Sequence, residues 1–217
     1  MDFDIEKIIY TTAVWALPVL FAITLHEVAH GWVASKLGDS TAKMLGRLSL
    51  NPIKHIDPIG TIVVPLVMVL VSGFAFGWAK PVPVNMNNLN NPRKDMAIVA
   101  MAGPLANVAM AIFWVIFLKL VSITVSDLNI AKGLMAMGQA GIIINLVLFV
   151  FNLFPIPPLD GSKVLSGFLP RSAALMMDKI EPYGFFIVVG LLYFGILGTV
   201  MNPIISFFMN TLNSLFF

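Results

Sequence analysis

Six apolar segments, near residues 8–36, 59–77, 96–121, 134–156, 183–201 and 203–217, take up most of this 217-residue chain. About 20 apolar residues in a helix cross a bilayer, so such segments constrain the fold more than any other feature. They are far too long for the alternating ten-residue strands of a membrane barrel. Only 11% of residues are charged and the mean hydropathy is +0.92, against about 25% charged in a soluble domain. The predicted class is therefore an all-α polytopic membrane protein with about five to six membrane segments. The acidic start, MDFDIEK, lacks the basic opening of a signal peptide, so the first apolar segment is expected to stay. No long polar insertion separates the segments, so residues 1–217 read as a single integral-membrane domain without a soluble appendage.

The basic residues orient it. Stretch 36–57 carries Lys36, Lys43, Arg47 and Lys54, stretch 78–95 carries Lys80, Arg93 and Lys94, and stretch 161–182 carries Lys163, Arg171 and Lys179. The positive-inside rule places these three stretches in the cytoplasm, with the N-terminus and the 122–133 loop outside. Segment 59–77 then has cytoplasmic flanks on both sides. It is short and contains Gly60, Pro65, Gly73 and Gly77. It reads as a re-entrant element, with an ordinary span as the alternative. Buried irregular backbone is tolerated only where protein or a water-filled cavity covers it.

Inside the first segment lies His26-Glu27-Val28-Ala29-His30. Residues i and i+4 share a helix face, so both imidazoles point to one place, with Glu27 beside them. Two His ligands and a Glu that deprotonates a metal-bound water form the zincin arrangement. The chain has three His and three Glu, and shuffling that composition gives HExxH with a probability of about 6 × 10⁻⁴. Ionisable residues within a membrane segment are functional candidates by default. There is no cysteine, so a metal must be held by His and carboxylates. The net charge of +2 is too small to suggest nucleic acid.

A catalytic zinc needs a third protein ligand. Asn152-Leu-Phe-Pro-Ile-Pro-Pro-Leu-Asp160-Gly161 ends the fourth apolar segment, and its prolines force unwinding there. Asp160 falls at the depth of HEVAH, as a candidate ligand or as the N-cap of the GSKVLSGFL stretch.

HEVAH, Gly103-Pro104-Leu105-Ala106-Asn107 and NLFPIPPLDG occur in the order of three core motifs of the site-2 protease family of intramembrane zinc metalloproteases, which the chain resembles over roughly residues 8–170. The resemblance implies Zn²⁺ held by His26, His30 and Asp160, with Glu27 as base, cutting transmembrane protein substrates on the cytoplasmic side of the lipid bilayer. It also implies short membrane-surface β-strands at 41–50 and 78–85. Many members carry a PDZ or nucleotide-sensing domain, and neither is present in this sequence. The expected location is a bacterial or archaeal cytoplasmic membrane.

Further residues carry open readings. Asn107 and Asn152 are amides in apolar segments, where an unpaired polar group is costly. They could bind the transition state or substrate backbone, or bond neighbouring helices. Pro81 and Pro83 strip donors from one edge of a strand at 78–85 while Val82 and Val84 keep theirs, so that edge could pair with an unwound substrate or with an internal partner such as 44–50. His55 reads as an interfacial residue or a fourth ligand. Two rival functions are a transporter with a buried His/Asp ion site and a catalytically dead scaffold. The clustering of ionisable groups at one depth argues against the first, and the intact HEVAH with Asp160 argues against the second.

Overall fold

The computed structural model describes residues 4–72 and 77–216. Its helices are α1 (Ile5–Lys36), α2 (Thr41–Met44), α3 (Val64–Ser72), α4 (Pro92–Thr124), α5 (Leu128–Asn152), α6 (Asp160–Phe168), α7 (Arg171–Tyr193) and α8 (Ile196–Phe216).

Three of these, α1, α4 and α5, are single helices long and apolar enough to cross a membrane. A fourth span is formed only if α7 and α8 are counted together; they are bent by 75° at Phe194–Gly195. The expected five to six membrane segments, one of them read as re-entrant, are thus matched by three to four candidate spans among the described residues. The bend falls at 194–195 because Gly195 adopts the left-handed conformation, φ 71°, which closes α7 and redirects the chain. The gap between apolar segments 183–201 and 203–217 falls inside α8, which also contains Pro203.

Segment 59–77 departs from a simple span for a visible reason. A π-helical turn, Pro58–Val63, leads into α3, and together they hold 15 residues, or about 22 Å of helix against the roughly 30 Å of a bilayer core. The two ends of the segment are hydrogen-bonded to each other. Trp78 N–H donates to Gly60 O at 3.0 Å, Thr61 Oγ1 to Trp78 O at 2.9 Å, and Lys80 N–H to His55 O at 2.9 Å. The residues flanking the segment therefore lie together at one end of the bundle. Residues 73–76 of that segment lie outside the described residues.

The predicted strands do not form: among the described residues there is no strand. Within 41–50 there is one helical turn, α2, followed by a turn at Gly46 with φ 63°. Residues 77–85 are irregular. Pro81 and Pro83 cannot donate to a ladder, and Val82 N–H is taken by a side chain described below.

Local chemistry sets the helix ends. Asp127 Oδ1 accepts from Asn129 N–H and Ile130 N–H, capping α5 immediately after α4. Pro92 sits in the first turn of α4, where a missing N–H does no harm, and the buried Asp95 accepts from Asn91 N–H at 2.7 Å. In the bundle centre α4 packs on α1, α5 and α6. Lipid is as apolar as a leucine side chain, so close fit rather than burial from water must hold these helices together. Gly141 of α5 lies against the Trp114 ring of α4, where a Cβ would come within 2.3 Å. Ala111, Val115, Ile142 and Leu146 complete that contact.

The alternation of α1, α4 and α5 brings the C-terminus of α1, the N-terminus of α4 and the C-terminus of α5 to one end of the bundle. Side chains tie the basic stretches together there. Arg47 Nη2 donates to Lys80 O at 2.9 Å, and Arg93 Nη2 donates to Ser166 O at 2.9 Å and to Leu169 O.

Candidate metal centre

His26 and His30 lie one turn apart on α1, both buried, with Nε2 atoms 3.0 Å apart. Asp160 is the first residue of α6, and its Oδ2 is 3.2 Å from His26 Nε2 and 3.3 Å from His30 Nε2. The fold thus brings together two residues from the first apolar segment and one from just beyond the fourth. Asp160 is not the N-cap of α6; Leu159 occupies that position, without a side-chain cap.

The second nitrogen of each ring has a partner. His30 Nδ1 donates to Val99 O at 2.7 Å, and a backbone carbonyl can only accept. His26 Nδ1 donates to Asn107 Oδ1 at 2.7 Å. The amide orientation follows from its other contacts: Asn107 Nδ2 donates to Ala22 O at 3.2 Å and to Asn145 Oδ1 at 3.0 Å. Asn145 Nδ2 in turn donates to Gly141 O at 2.8 Å. With Nδ1 committed as donor in each ring, the neutral tautomer would aim both Nε2 lone pairs at one point.

Asp160 Oδ2, buried and with no hydrogen-bond partner, faces the same point. In that tautomer the three atoms, 3.0–3.3 Å apart, are all acceptors, and a cation between them would relieve their mutual repulsion. The spacing fits a tetrahedral cation, since ligands about 2.0–2.1 Å from zinc are about 3.3 Å from one another. The donor set, two imidazoles and a carboxylate, is that of a catalytic zinc site with a position left for water.

Room for the site comes from α4. Gly103 packs directly on the rings, and a Cβ there would be 2.4 Å from His30 Nε2 and 2.6 Å from His26 Cε1. Gly161 lets α6 start against the end of α5, where a Cβ would meet Leu153 O at 2.2 Å.

Glu27, half-buried beside His26, accepts from Val82 N–H through Oε2 at 2.7 Å. The irregular 77–85 segment therefore lies over the HEVAH turn. The Val82 donor is occupied by Glu27, not by backbone at 44–50, and the half-buried Val84 packs into the cluster of Ala34, Leu89 and Val99. Asn107 sits behind His26 as its hydrogen-bond acceptor, and Asn152 Nδ2 donates to Leu148 O of its own helix at 3.0 Å. The Asn107 bond joins two helices, whereas the Asn152 bond stays within one. His55 is buried away from the cluster, with Nε2 bonded to Ser49 O at 2.8 Å, so it does not supply a fourth ligand in this conformation.

Two residues in this architecture escaped sequence reasoning. Asn145, fully buried, extends the chain behind His26; as an amide within an apolar segment it carried the same signal as Asn107. Asp39, also fully buried, accepts from Asn85 N–H at 2.6 Å, Asn88 Nδ2 at 3.1 Å, Thr41 N–H at 3.0 Å and the Thr41 hydroxyl. Burial alone would raise its pKa, but these donors more than offset that and hold the carboxyl below the ordinary carboxylate range. It anchors residues 85–88 to the end of α1, and nothing local in the sequence announces partners that far along the chain.

Comparison with known proteins gives an independent assignment. The sequence profile of peptidase family M50 matches residues 14–195. Three similar proteins carry the name "Putative zinc metalloprotease". YwhC of Bacillus subtilis is 42% identical over 79% of this chain and 76% of its own length. Rip2 of Mycolicibacterium smegmatis is 29% identical over 80% of this chain and 64% of its own length. MJ0611 of Methanocaldococcus jannaschii is 45% identical over 31% of each chain. No solved structure matches the chain significantly. The profile match takes in both histidines, Asn107 and Asp160, and the chain belongs to peptidase family M50, the site-2 protease family.

Proposed function

We propose that this protein is a zinc-dependent intramembrane endopeptidase that hydrolyses peptide bonds within or near transmembrane segments of other membrane proteins. The observation that carries the reading is the convergence of His26 Nε2, His30 Nε2 and Asp160 Oδ2, three buried potential ligand atoms within 3.3 Å of one another. The zincin Glu lies beside them, and the basic stretches gather at the same end of the bundle. By the positive-inside rule that end, and with it the active site, faces the cytoplasm.

His26, His30 and Asp160 would hold the metal. Zn²⁺ bound there supplies Lewis acidity, polarising a carbonyl and lowering the pKa of bound water towards about 7. Glu27 takes the proton of the attacking water and returns it to the leaving amine. One carboxylate oxygen is fixed by Val82 N–H, which leaves the other to move the proton. Asn107 and Val99 keep the imidazoles in the tautomer that presents Nε2. A helical substrate hides its carbonyls in i→i+4 bonds, so it must unwind before its scissile bond reaches this depth.

Metal analysis of detergent-purified protein, paired with cleavage of a co-reconstituted single-span substrate, tests the reading. Wild type should carry about one zinc and cleave. Glu27→Gln should keep the zinc and lose turnover, whereas His26→Ala and Asp160→Ala should lose both. Full zinc occupancy in Asp160→Ala, or cleavage by Glu27→Gln, would overturn it.

A further inference from the structure

Between Lys80 and Asn85 the backbone is held chiefly by side chains from elsewhere. Lys80 O and Pro81 O both accept from Arg47 Nη2, at 2.9 and 3.4 Å. Val82 N–H donates to Glu27, and Asn85 N–H donates to Asp39. Pro81 and Pro83 have no N–H to add.

Pro81 O and Val82 N–H belong to one peptide unit. A trans peptide points its carbonyl and its N–H in opposite directions. A single rigid plane is therefore gripped by a guanidinium on one side and by the Glu27 carboxylate on the other. A cation on the carbonyl polarises the amide and strengthens its N–H as a donor. The plane is seated from below as well: the Val82 side chain rests on Gly31, one turn along α1 from Glu27, where a Cβ would come within 2.7 Å of Val82 Cγ1. Arg47 is itself fixed by the turn at Gly46, with its own N–H bonded to Ala42 O at 2.9 Å.

We propose that Arg47 is a positioning residue for Glu27, acting through the Pro81–Val82 peptide unit. The proposal rests on the reading of Glu27 as the base. Arg47 touches neither the metal ligands nor Glu27; it sets where Val82 N–H points, and that bond sets which way the carboxylate faces. The arrangement also explains why two prolines flank the donor. They stiffen the chain on both sides and leave Val82 as the one amide between Lys80 and Val84 able to donate.

A double-mutant cycle tests it. Arg47→Met and Val82→Pro should each lower kcat about 10- to 100-fold, the penalty of a misplaced catalytic group, with KM and zinc content held. The double variant should be no worse than the more damaged single variant, because both break one connection. Arg47→Lys, which keeps the charge but not the guanidinium geometry, should recover part of the loss. An infrared readout is independent of turnover. Glu6, Glu27 and Glu181 are the three glutamates of the chain, so ¹³C-glutamate labelling with subtraction of Glu27→Gln isolates the Glu27 carboxylate band. Arg47→Met and Val82→Pro should move that band to the same new frequency. Additive losses in kcat, a rise in KM with kcat held, or an unmoved band in Arg47→Met would overturn the proposal. Failure of wild type to show Glu27-dependent cleavage would overturn the proteolytic reading instead, and the band shift would still decide whether Arg47 acts on Glu27.

Discussion

His26 of α1 and Asn107 of α4, 81 residues apart in sequence, are joined by a 2.7 Å hydrogen bond from the ring Nδ1 to the amide oxygen. That bond is the first link of a buried chain that continues to Asn145 and Gly141 O on α5. Three helices that would otherwise slide in lipid are thereby held in register behind one metal ligand. The same bond fixes the ring tautomer, so packing and ligand chemistry depend on a single contact.

Removing that acceptor should be felt at the metal. Asn107→Ala is expected to weaken zinc binding about 10- to 100-fold, the usual effect of losing a hydrogen-bond partner of a ligating His. Asn145→Ala, one bond further away, should weaken it less. Competition with a calibrated zinc chelator measures both.

Gly103→Ala should damage the site without unwinding α4. Alanine is the better helix former by about 1 kcal/mol, but its Cβ would sit 2.4 Å from His30 Nε2, inside a rigid buried cluster. The expected result is unchanged helicity by circular dichroism with strongly reduced zinc occupancy. Normal occupancy would show that α4 can withdraw from α1 at small expense.

Asp39 predicts a defined acid sensitivity. Its folded-state pKa is lowered, so the unfolded chain takes up its proton first as pH falls. The stability it contributes is fully present above the unfolded value of about 3.9 and is lost as pH drops through the lower folded value. Asp39→Asn should destabilise the protein at pH 6–7 by about 1–3 kcal/mol, through donors left without their charged acceptor. It should also flatten the part of the pH dependence below about pH 4 that belongs to this residue. Thermal unfolding in detergent between pH 3 and 7 compares the two proteins.

The hydrogen bonds joining residues 55–61 to 78–80 predict a topology. Single cysteines at positions 40, 88 and 166 should all react with an impermeant thiol reagent from the same side of the membrane, and a cysteine at 126 from the other. The native chain has no cysteine, so the background is clean. Labelling of 40 and 88 from opposite sides would show that segment 59–77 crosses.

Hydropathy and spacing determined much of this protein directly. Apolar runs longer than 20 residues have one stable form in lipid, so α1, α4 and α5 could be read without coordinates. The i, i+4 geometry of a helix put His26 and His30 on one face wherever that helix came to lie. The count of spans was harder to read, because hydropathy does not register a glycine in the left-handed conformation that turns the chain between α7 and α8. The strands failed because pairing is a property of two segments at once, and a side chain, Glu27, reached Val82 N–H first. Only the tertiary structure decided the partners of Asn107, Asp39 and Arg47. Each bonds across 30 or more residues, and the position of such a partner depends on how helices pack, which no local spacing encodes.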